Sequence, residues 1–170
     1  MRIAGLIQDS VVDGPGLRFV VFTQGCDIGC KGCHNSEAIN ITGGTEMHVS
    51  EIISEMLSNP LTDGLTLSGG EPFMQGADCS QLAKAAREHG LNVWIFTGNI
   101  FEELVERAKR EKGIKALLEY ADVIVDGPFE VERRSLSLKW RGSKNQRVID
   151  VQKSIAMGNT VELKISALTV

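Results

Sequence analysis

Long apolar runs are missing from this chain of 170 residues: the longest, residues 19–22, is far short of the ~18 residues a membrane-spanning helix needs. A secretory leader is missing too, because residues 3–7 are too short for its apolar core and no small-residue cleavage site follows them. A cytoplasmic protein is therefore expected. Excess positive charge is absent, with a net charge of -4 and a pI near 5.4, which argues against a nucleic-acid footprint over the whole surface. No nucleic-acid or membrane partner is expected. Disorder is excluded by 42% hydrophobic and 24% charged residues. Internal repeats and linkers are absent as well, so residues 1–170 read as a single domain.

A disulfide framework is also lacking. Three of the four cysteines, Cys26, Cys30 and Cys33, are crowded into eight residues rather than spread along a small secreted chain. That arrangement points to metal or redox chemistry. Cys79 lies far off in sequence beside Asp78, at an expected helix start, and reads as a small buried residue rather than a fourth ligand. Glycine is abundant, and eleven of the 18 fall between Gly14 and Gly76, the stretch that holds the cysteines. Crowded glycine marks sharp turns or close approach to a ligand. Charge is uneven: residues 131–150 carry six Lys/Arg against two acids, whereas the first 130 residues carry ten basic and nineteen acidic side chains. The basic stretch reads either as a solvated face or as a docking surface for an anionic partner.

Strand patterns at residues 17–22, 65–67, 92–96, 122–125 and 147–149 alternate with helical patterns opening at Ser50, at Asp78, near Leu104, near Ile114 and near Val151. Residues from Thr160 onward read as a last strand or a frayed end. This alternation predicts an α/β fold with a parallel sheet covered by helices. A complete eight-fold barrel takes ~250 residues, so either a partial, open βα barrel or an open doubly wound sheet is possible, and the partial barrel is favoured. The C-terminal ends of the strands gather the working site in either case. There the sequence places Gly25-Cys26, Ser68-Gly69-Gly70-Glu71-Pro72, Thr97-Gly98 and Asp126-Gly127-Pro128.

A structural zinc site wants four ligands, typically from two separated pairs, and only one C-x2-C pair exists. His34 is badly placed to join its neighbour Cys33 on the same ion, and His48 and His89 are remote. A cubane iron–sulfur cluster takes four thiolates, so three would leave one iron open to another ligand. In an enzyme that is a coordination site. Two other readings stand beside it: an electron carrier with Cys79 as fourth ligand, and a structural zinc protein.

The spacing C-x3-C-x2-C resembles the radical S-adenosylmethionine enzymes. Asp13-Gly14-Pro15-Gly16-Leu17-Arg18, Phe22-Thr23-Gln24-Gly25-Cys26 and Cys33-His34-Asn35 narrow the likeness to the activating enzymes of glycyl radical enzymes. Within those, Gly32-Cys33-His34-Asn35, Val125-Asp126-Gly127-Pro128-Phe129, Trp140-Arg141-Gly142-Ser143 and Asn145-Gln146-Arg147 are most similar to the activases of anaerobic (class III) ribonucleoside-triphosphate reductase. The resemblance runs from about Asp13 to Asp150. It implies a radical-SAM type partial barrel and a 4Fe-4S cluster on Cys26, Cys30 and Cys33. S-adenosylmethionine would sit against Gly32, Cys33, His34, Gly69, Gly70 and Glu71, with the Glu71 carboxylate meeting its amine. It further implies reductive cleavage of that cofactor to a 5'-deoxyadenosyl radical, which takes a hydrogen atom from a glycine of the reductase. A low-potential donor such as flavodoxin would supply the electron. An activase of formate lyase is the alternative within the class. Thr97 and Asp126 are the candidates for a monovalent cation beside the cofactor, although Phe96 stands where a further carboxylate would be expected. The sequence departs from the wider pattern at Gly32, where an aromatic residue is usual, and at Asp27-Ile28-Gly29, where proline is frequent.

Overall fold

Residues 1–164 are described by a computed structural model. Among them, seven strands, β1 (Arg2–Ser10), β2 (Arg18–Thr23), β3 (Thr45–Glu46), β4 (Gly64–Gly69), β5 (Asn92–Phe96), β6 (Val123–Asp126) and β7 (Arg147–Asp150), form one sheet in the order β3-β1-β2-β4-β5-β6-β7. The helices are α1 (Val49–Met56), α2 (Gly76–Glu88), α3 (Phe101–Arg107), α4 (Lys112–Tyr120) and α5 (Val151–Met157). None is long and apolar enough to cross a membrane. The sheet is open, as expected of a partial barrel.

β2, β4, β5 and β6 pair in parallel, the parallel sheet expected, and β1, β3 and β7 add antiparallel pairings at its flanks. A parallel return needs a crossover of a dozen or more residues. β1 and β2 are joined only by residues 11–17, and β7 is reached through residues 127–146, which contain no α-helix. β1 itself was not foreseen. Bulges between Ile3 and Gly5 and between Ile7 and Ser10 break its alternation, which hides the strand signal.

Period-2 alternation sorts the central strands onto two faces. Phe19, Val21, Leu65, Leu67, Val93, Ile95, Ile124 and Ile149 join one core with Ile52 and Met56 of α1, Leu82 and Ala86 of α2, Leu104 of α3, Leu117 of α4 and Val151 of α5. Their alternates Trp94, Val123, Val125 and Val148 form a second, smaller cluster with Phe96, Trp140 and Leu163. All five helices thus cover one face, which sets aside the doubly wound alternative. The other face is the inside of the partial barrel, roofed by loops.

Arg18 starts on that inner face and is fully buried. Its Nε donates to Thr66 Oγ1 (3.0 Å), Nη2 to Leu65 O (2.6 Å), and Nη1 to Asn92 Oδ1 (2.6 Å) and Pro15 O (3.3 Å). Burial lowers its pKa to about 10, against the opposing pull of Asp63, Asp122 and Asp13. Thr66 Oγ1 donates onward to the Asp13 carbonyl at 2.8 Å, so the network pins loop 11–17 over the inner face.

Two helix starts differ from expectation. α1 begins at Val49, with the Glu51 carboxylate accepting from the His48 N–H at 3.3 Å, rather than at a Ser50 cap. α2 begins at Gly76 after a 3-10 turn over Pro72–Gln75, so Asp78 lies inside its first turn. Gly90 does end that helix, in a left-handed conformation with φ +78°. Of the expected final strand, Glu162 bridges Ile149, and residues 165–170 lie outside the described residues.

Candidate active site

The rim at the ends of the parallel strands is built by interlocked backbone. Gly70 N donates to Thr23 O (2.7 Å) and Glu71 N to Gly25 O (2.8 Å), joining the turn after β4 to the one after β2. A Cβ on Gly69 or Gly70 would collide with the backbone of Phe22–Gly25, so only glycine lets the two turns cross. Gly25 N then donates to Ala38 O (2.8 Å), Cys26 N to Ile39 O (3.1 Å), and the Asn35 side chain to Gly69 O (3.2 Å). These bonds close the cysteine loop on itself. Gly29 and Gly32, at φ +72° and +73°, supply its reversals.

Cys26, Cys30 and Cys33 are half-buried, free, and line one cavity of about 350 Å³ on this rim. Burial pushes the Cys26 thiol up, and the charges of Glu71, Cys30 and Cys33 push the same way. A thiolate at Cys26 is therefore favoured by positive charge beside it, which the irons of a cluster would bring. Among the described residues, no three His, Cys, Asp or Glu side chains are gathered as they would be around a single ion. A four-iron cluster holds its thiolates further apart than one ion does, and the donor set fits such a cluster with one iron unligated by protein. Cys79 is fully buried in the helix-side core, on the far face of the sheet, and burial raises its pKa strongly. The rival reading that makes it a fourth ligand is thereby corrected.

Of the other expected site residues, His34, Gly69, Gly70 and Thr97 line the cavity with Cys33. The His34 ring is tilted against Phe129, 4.6 Å between centroids. Gly32 stands behind that wall, where a Cβ would meet Val131 and Phe129. Glu71 is only 1% exposed and does not line the cavity. Its oxygens accept from Thr97 Oγ1 (2.8 Å to each), Gly98 N (3.0 Å) and Phe73 N (3.0 Å). Burial raises its pKa against these three donors. The carboxylate expected at the cofactor amine is instead a buried clamp between the turns after β4 and β5.

Asp126 is fully buried and paired with Arg147 through Nε (3.0 Å) and Nη2 (2.5 Å), while also accepting from Phe101 N (2.9 Å). Arg147 reaches on to Glu102 at 2.7 Å. A guanidinium thus balances the Asp126 charge, and Thr97 Oγ1 is committed to Glu71. The cation site expected on Thr97 and Asp126 is not assembled, a correction that follows from Arg147 having taken its carboxylate. The sequence reading also did not assign Asp13, Ser68, Trp140, Arg141 and Gln146 to the cavity wall, where they stand. The Trp-Arg-Gly-Ser and Asn-Gln-Arg motifs were the available signal.

A family model described as "4Fe-4S single cluster domain" matches residues 12–149. The anaerobic ribonucleoside-triphosphate reductase-activating protein of Vibrio cholerae is 37% identical over 145 residues, covering 80% of this chain and 89% of the relative. The protein of the same name from enterobacteria phage T4 is 35% identical over 143 residues, covering 81% and 86%. The pyruvate formate-lyase-activating enzyme of Clostridium pasteurianum is 36% identical over 115 residues, covering 62% of this chain and 48% of the relative.

Proposed function

Since the chain belongs to the family of anaerobic ribonucleoside-triphosphate reductase-activating proteins, we propose that it installs a glycyl radical on such a reductase. The observation that carries this reading is the convergence of three thiols of one loop on a cavity at the strand ends, with the fourth cysteine on the opposite face. A 4Fe-4S cluster held there by Cys26, Cys30 and Cys33 would supply the electron for reductive cleavage of S-adenosylmethionine, the chemistry from which a glycyl radical is made.

The chain's own residues do the holding. Cys26, Cys30 and Cys33 ligate the cluster. Gly69 and Gly70 present bare backbone to the cofactor ammonium, and Glu71 fixes that backbone from behind through Thr97 and Gly98. His34, braced by Phe129, walls the cofactor beside the last ligand, with Gly32 allowing the turn. The open sheet leaves the cavity mouth accessible to a peptide segment of a partner, which a closed barrel would exclude. A low-potential protein such as a flavodoxin supplies the electron, and the site of action is the cytoplasm.

The test mixes the reduced, cofactor-loaded protein with anaerobic ribonucleotide reductase or with formate lyase and records electron paramagnetic resonance. A glycyl radical doublet on the reductase, with release of 5'-deoxyadenosine, is expected. A doublet on formate lyase alone would reassign the partner, and no 5'-deoxyadenosine with either would overturn the chemistry.

A further inference from the structure

Positive charge in the acidic part of the chain is gathered at one place. Five of the ten basic residues among the first 130, Arg107, Lys109, Arg110, Lys112 and Lys115, fall within nine residues that hold one acid, Glu111. The segment links α3 to the start of α4. Arg107 is paired with Glu111 at 2.8 Å, and Lys109 with Glu106. Arg110, Lys112 and Lys115 are exposed and have no salt-bridge partner among the described residues. Helix electrostatics do not favour them there. The start of a helix stabilises acids and disfavours cations, yet α4 opens on Lys112, carries Lys115 one turn on, and has no acid in its first turn. These cations therefore contribute nothing to the helix, and their use lies outside the fold.

The link is tied to the rim beside the cysteine loop. Arg107 Nη1 donates to Asn99 Oδ1 (2.9 Å), and Asn99 donates through N and Nδ2 to Thr97 Oγ1 (3.0 and 3.2 Å) in the turn after β5. That turn meets the cysteine loop directly, since a Cβ on Gly98 would strike the Ile28 side chain at 2.8 Å. Gly113, in the first turn of α4, packs on Gly76 at the start of α2, where a Cβ would meet its backbone at 3.0 Å. The Arg107 pKa is raised first by the Glu111 hydrogen bond, and the charges of Asp27 and Glu71 pull the same way. Asp27, Ile28 and Gly29 join Cys26 to Cys30. The basic link thus reaches the cysteine loop from the helix side, because Leu104, Ala108, Ile114 and Leu117 around it all pack in the helix-side core.

The chemistry proposed for the cavity needs an electron from outside, and the inner face has to admit the cofactor and a peptide of the reductase. A donor at the same mouth would exclude both, whereas the helix side of the cysteine loop leaves that mouth clear. We propose that the link over residues 107–115 docks an acidic one-electron carrier protein beside the Asp27–Gly29 side of the cysteine loop, so that electron and protein substrate arrive from different faces. This rests on the reading that the three cysteines hold a cluster. In the transfer the carrier is oxidised by one electron and the cluster is reduced by one, with no bond made or broken. The charge of the carrier follows from the surface. Opposite fields steer encounter, and the rest of the first 130 residues, with eighteen acidic and five basic side chains, repels an acidic protein everywhere but here.

The test reverses two basic patches separately. One variant carries Arg110→Glu, Lys112→Glu and Lys115→Glu, and the other carries Arg134→Glu, Lys139→Glu and Lys144→Glu. Each reconstituted protein is measured for association with immobilised oxidised flavodoxin, and by stopped flow for reduction of its cluster by reduced flavodoxin. Reversal at 110, 112 and 115 should slow both by about tenfold or more at low salt and flatten their salt dependence. Reversal at 134, 139 and 144 should slow neither by more than about threefold. Photoreduced deazaflavin, a small reductant that needs no docking surface, should reduce all three proteins alike. Acids at the start of α4 favour that helix, so the first variant should keep its fold, which far-ultraviolet circular dichroism checks. Flavodoxin association that is absent in the parent, unchanged by the first reversal, or slowed instead by the second would overturn the proposal while leaving the function standing. So would a first reversal that slows association with the reductase and spares flavodoxin. A parent that holds no cluster, or releases no 5'-deoxyadenosine from S-adenosylmethionine under deazaflavin, would overturn the functional reading and this proposal with it.

Discussion

At the level of single residues, the four cysteines divide by the face of the sheet they occupy. Replacing Cys26, Cys30 or Cys33 by Ala is expected to abolish the visible absorption of the reconstituted cluster, whereas Cys79→Ala retains it, since Cys79 lies among Leu82, Ala83 and Ala86. Loss of the cluster in Cys79→Ala would reinstate a fourth protein ligand. Glu71 has a different signature. Its carboxylate accepts from two backbone N–H groups and a hydroxyl, and an amide can accept at only one oxygen. Glu71→Gln therefore strands a buried donor and should lower folding stability by about 1–3 kcal/mol even without cofactor, measured by urea unfolding. Burial raises the Glu71 pKa above its unfolded value, so binding a proton there favours the folded state. Parent stability then declines as pH rises from the unfolded value through the folded one, and the variant has no such decline. An unchanged urea midpoint would return Glu71 to direct cofactor contact. The cysteine loop was legible from spacing alone. The inward turn of Glu71 was not, because a carboxylate after two glycines reads the same whether it points at a ligand or at Thr97.

At the level of elements, β2, β4, β5, β6 and the helices between them were legible because each buries a continuous apolar run against an amphipathic neighbour. β5 falls on the residues expected of it, Asn92–Phe96. β1 and β3 were not legible: β1 is bulged and half-exposed, and β3 is two exposed residues whose place is set only by pairing with Arg2 and Ile3. The antiparallel return of β7 also depends on tertiary contact, the Asp126–Arg147–Glu102 chain that ties the end of β6 to α3. That tie has testable consequences. Arg147→Gln would leave Asp126 charged, buried and unpaired, so a loss of about 3 kcal/mol is expected. The Arg147 guanidinium, with help from Thr160, lowers the Glu102 pKa from 4.5 to about 2. Its folded value lies below its unfolded one, so this contribution is present above about pH 4.5 and is lost as pH falls toward 2. Glu102 is largely exposed, which keeps the contribution small. Cofactor affinity should also be indifferent to replacing sodium or potassium by a bulky organic cation, since a fixed guanidinium already balances Asp126. A strong dependence on the alkali ion, measured by equilibrium dialysis of the cofactor into the reconstituted protein, would show that a cation site assembles despite Arg147.

At the level of the whole molecule, charge and topology together decide how a protein substrate approaches. The first 130 residues carry nineteen acidic and ten basic side chains, so an acidic partner is repelled by most of this surface. Residues 127–146 run beside the cavity mouth, and once the internal pairs are set aside, Arg134, Lys139 and Lys144 are exposed there with no salt-bridge partner among the described residues. The open sheet and this local positive field coincide at one end of the molecule. Steering of that kind acts on encounter more than on the lifetime of the complex. With the reductase immobilised, raising salt from about 0.05 M to about 0.5 M should slow association by about tenfold or more as screening shortens the Debye length from ~14 Å to ~4 Å. Reversing the charge of Arg134, Lys139 and Lys144 together should slow association comparably at low salt and flatten the salt dependence, with dissociation changed by less than about threefold. None of the three lines the cavity, so cofactor cleavage in the absence of the reductase should persist in the triple variant. Association that stays fast and salt-dependent after the reversal would move the docking field elsewhere on the surface. If cofactor cleavage were lost as well, the loop would be positioning the site rather than the partner.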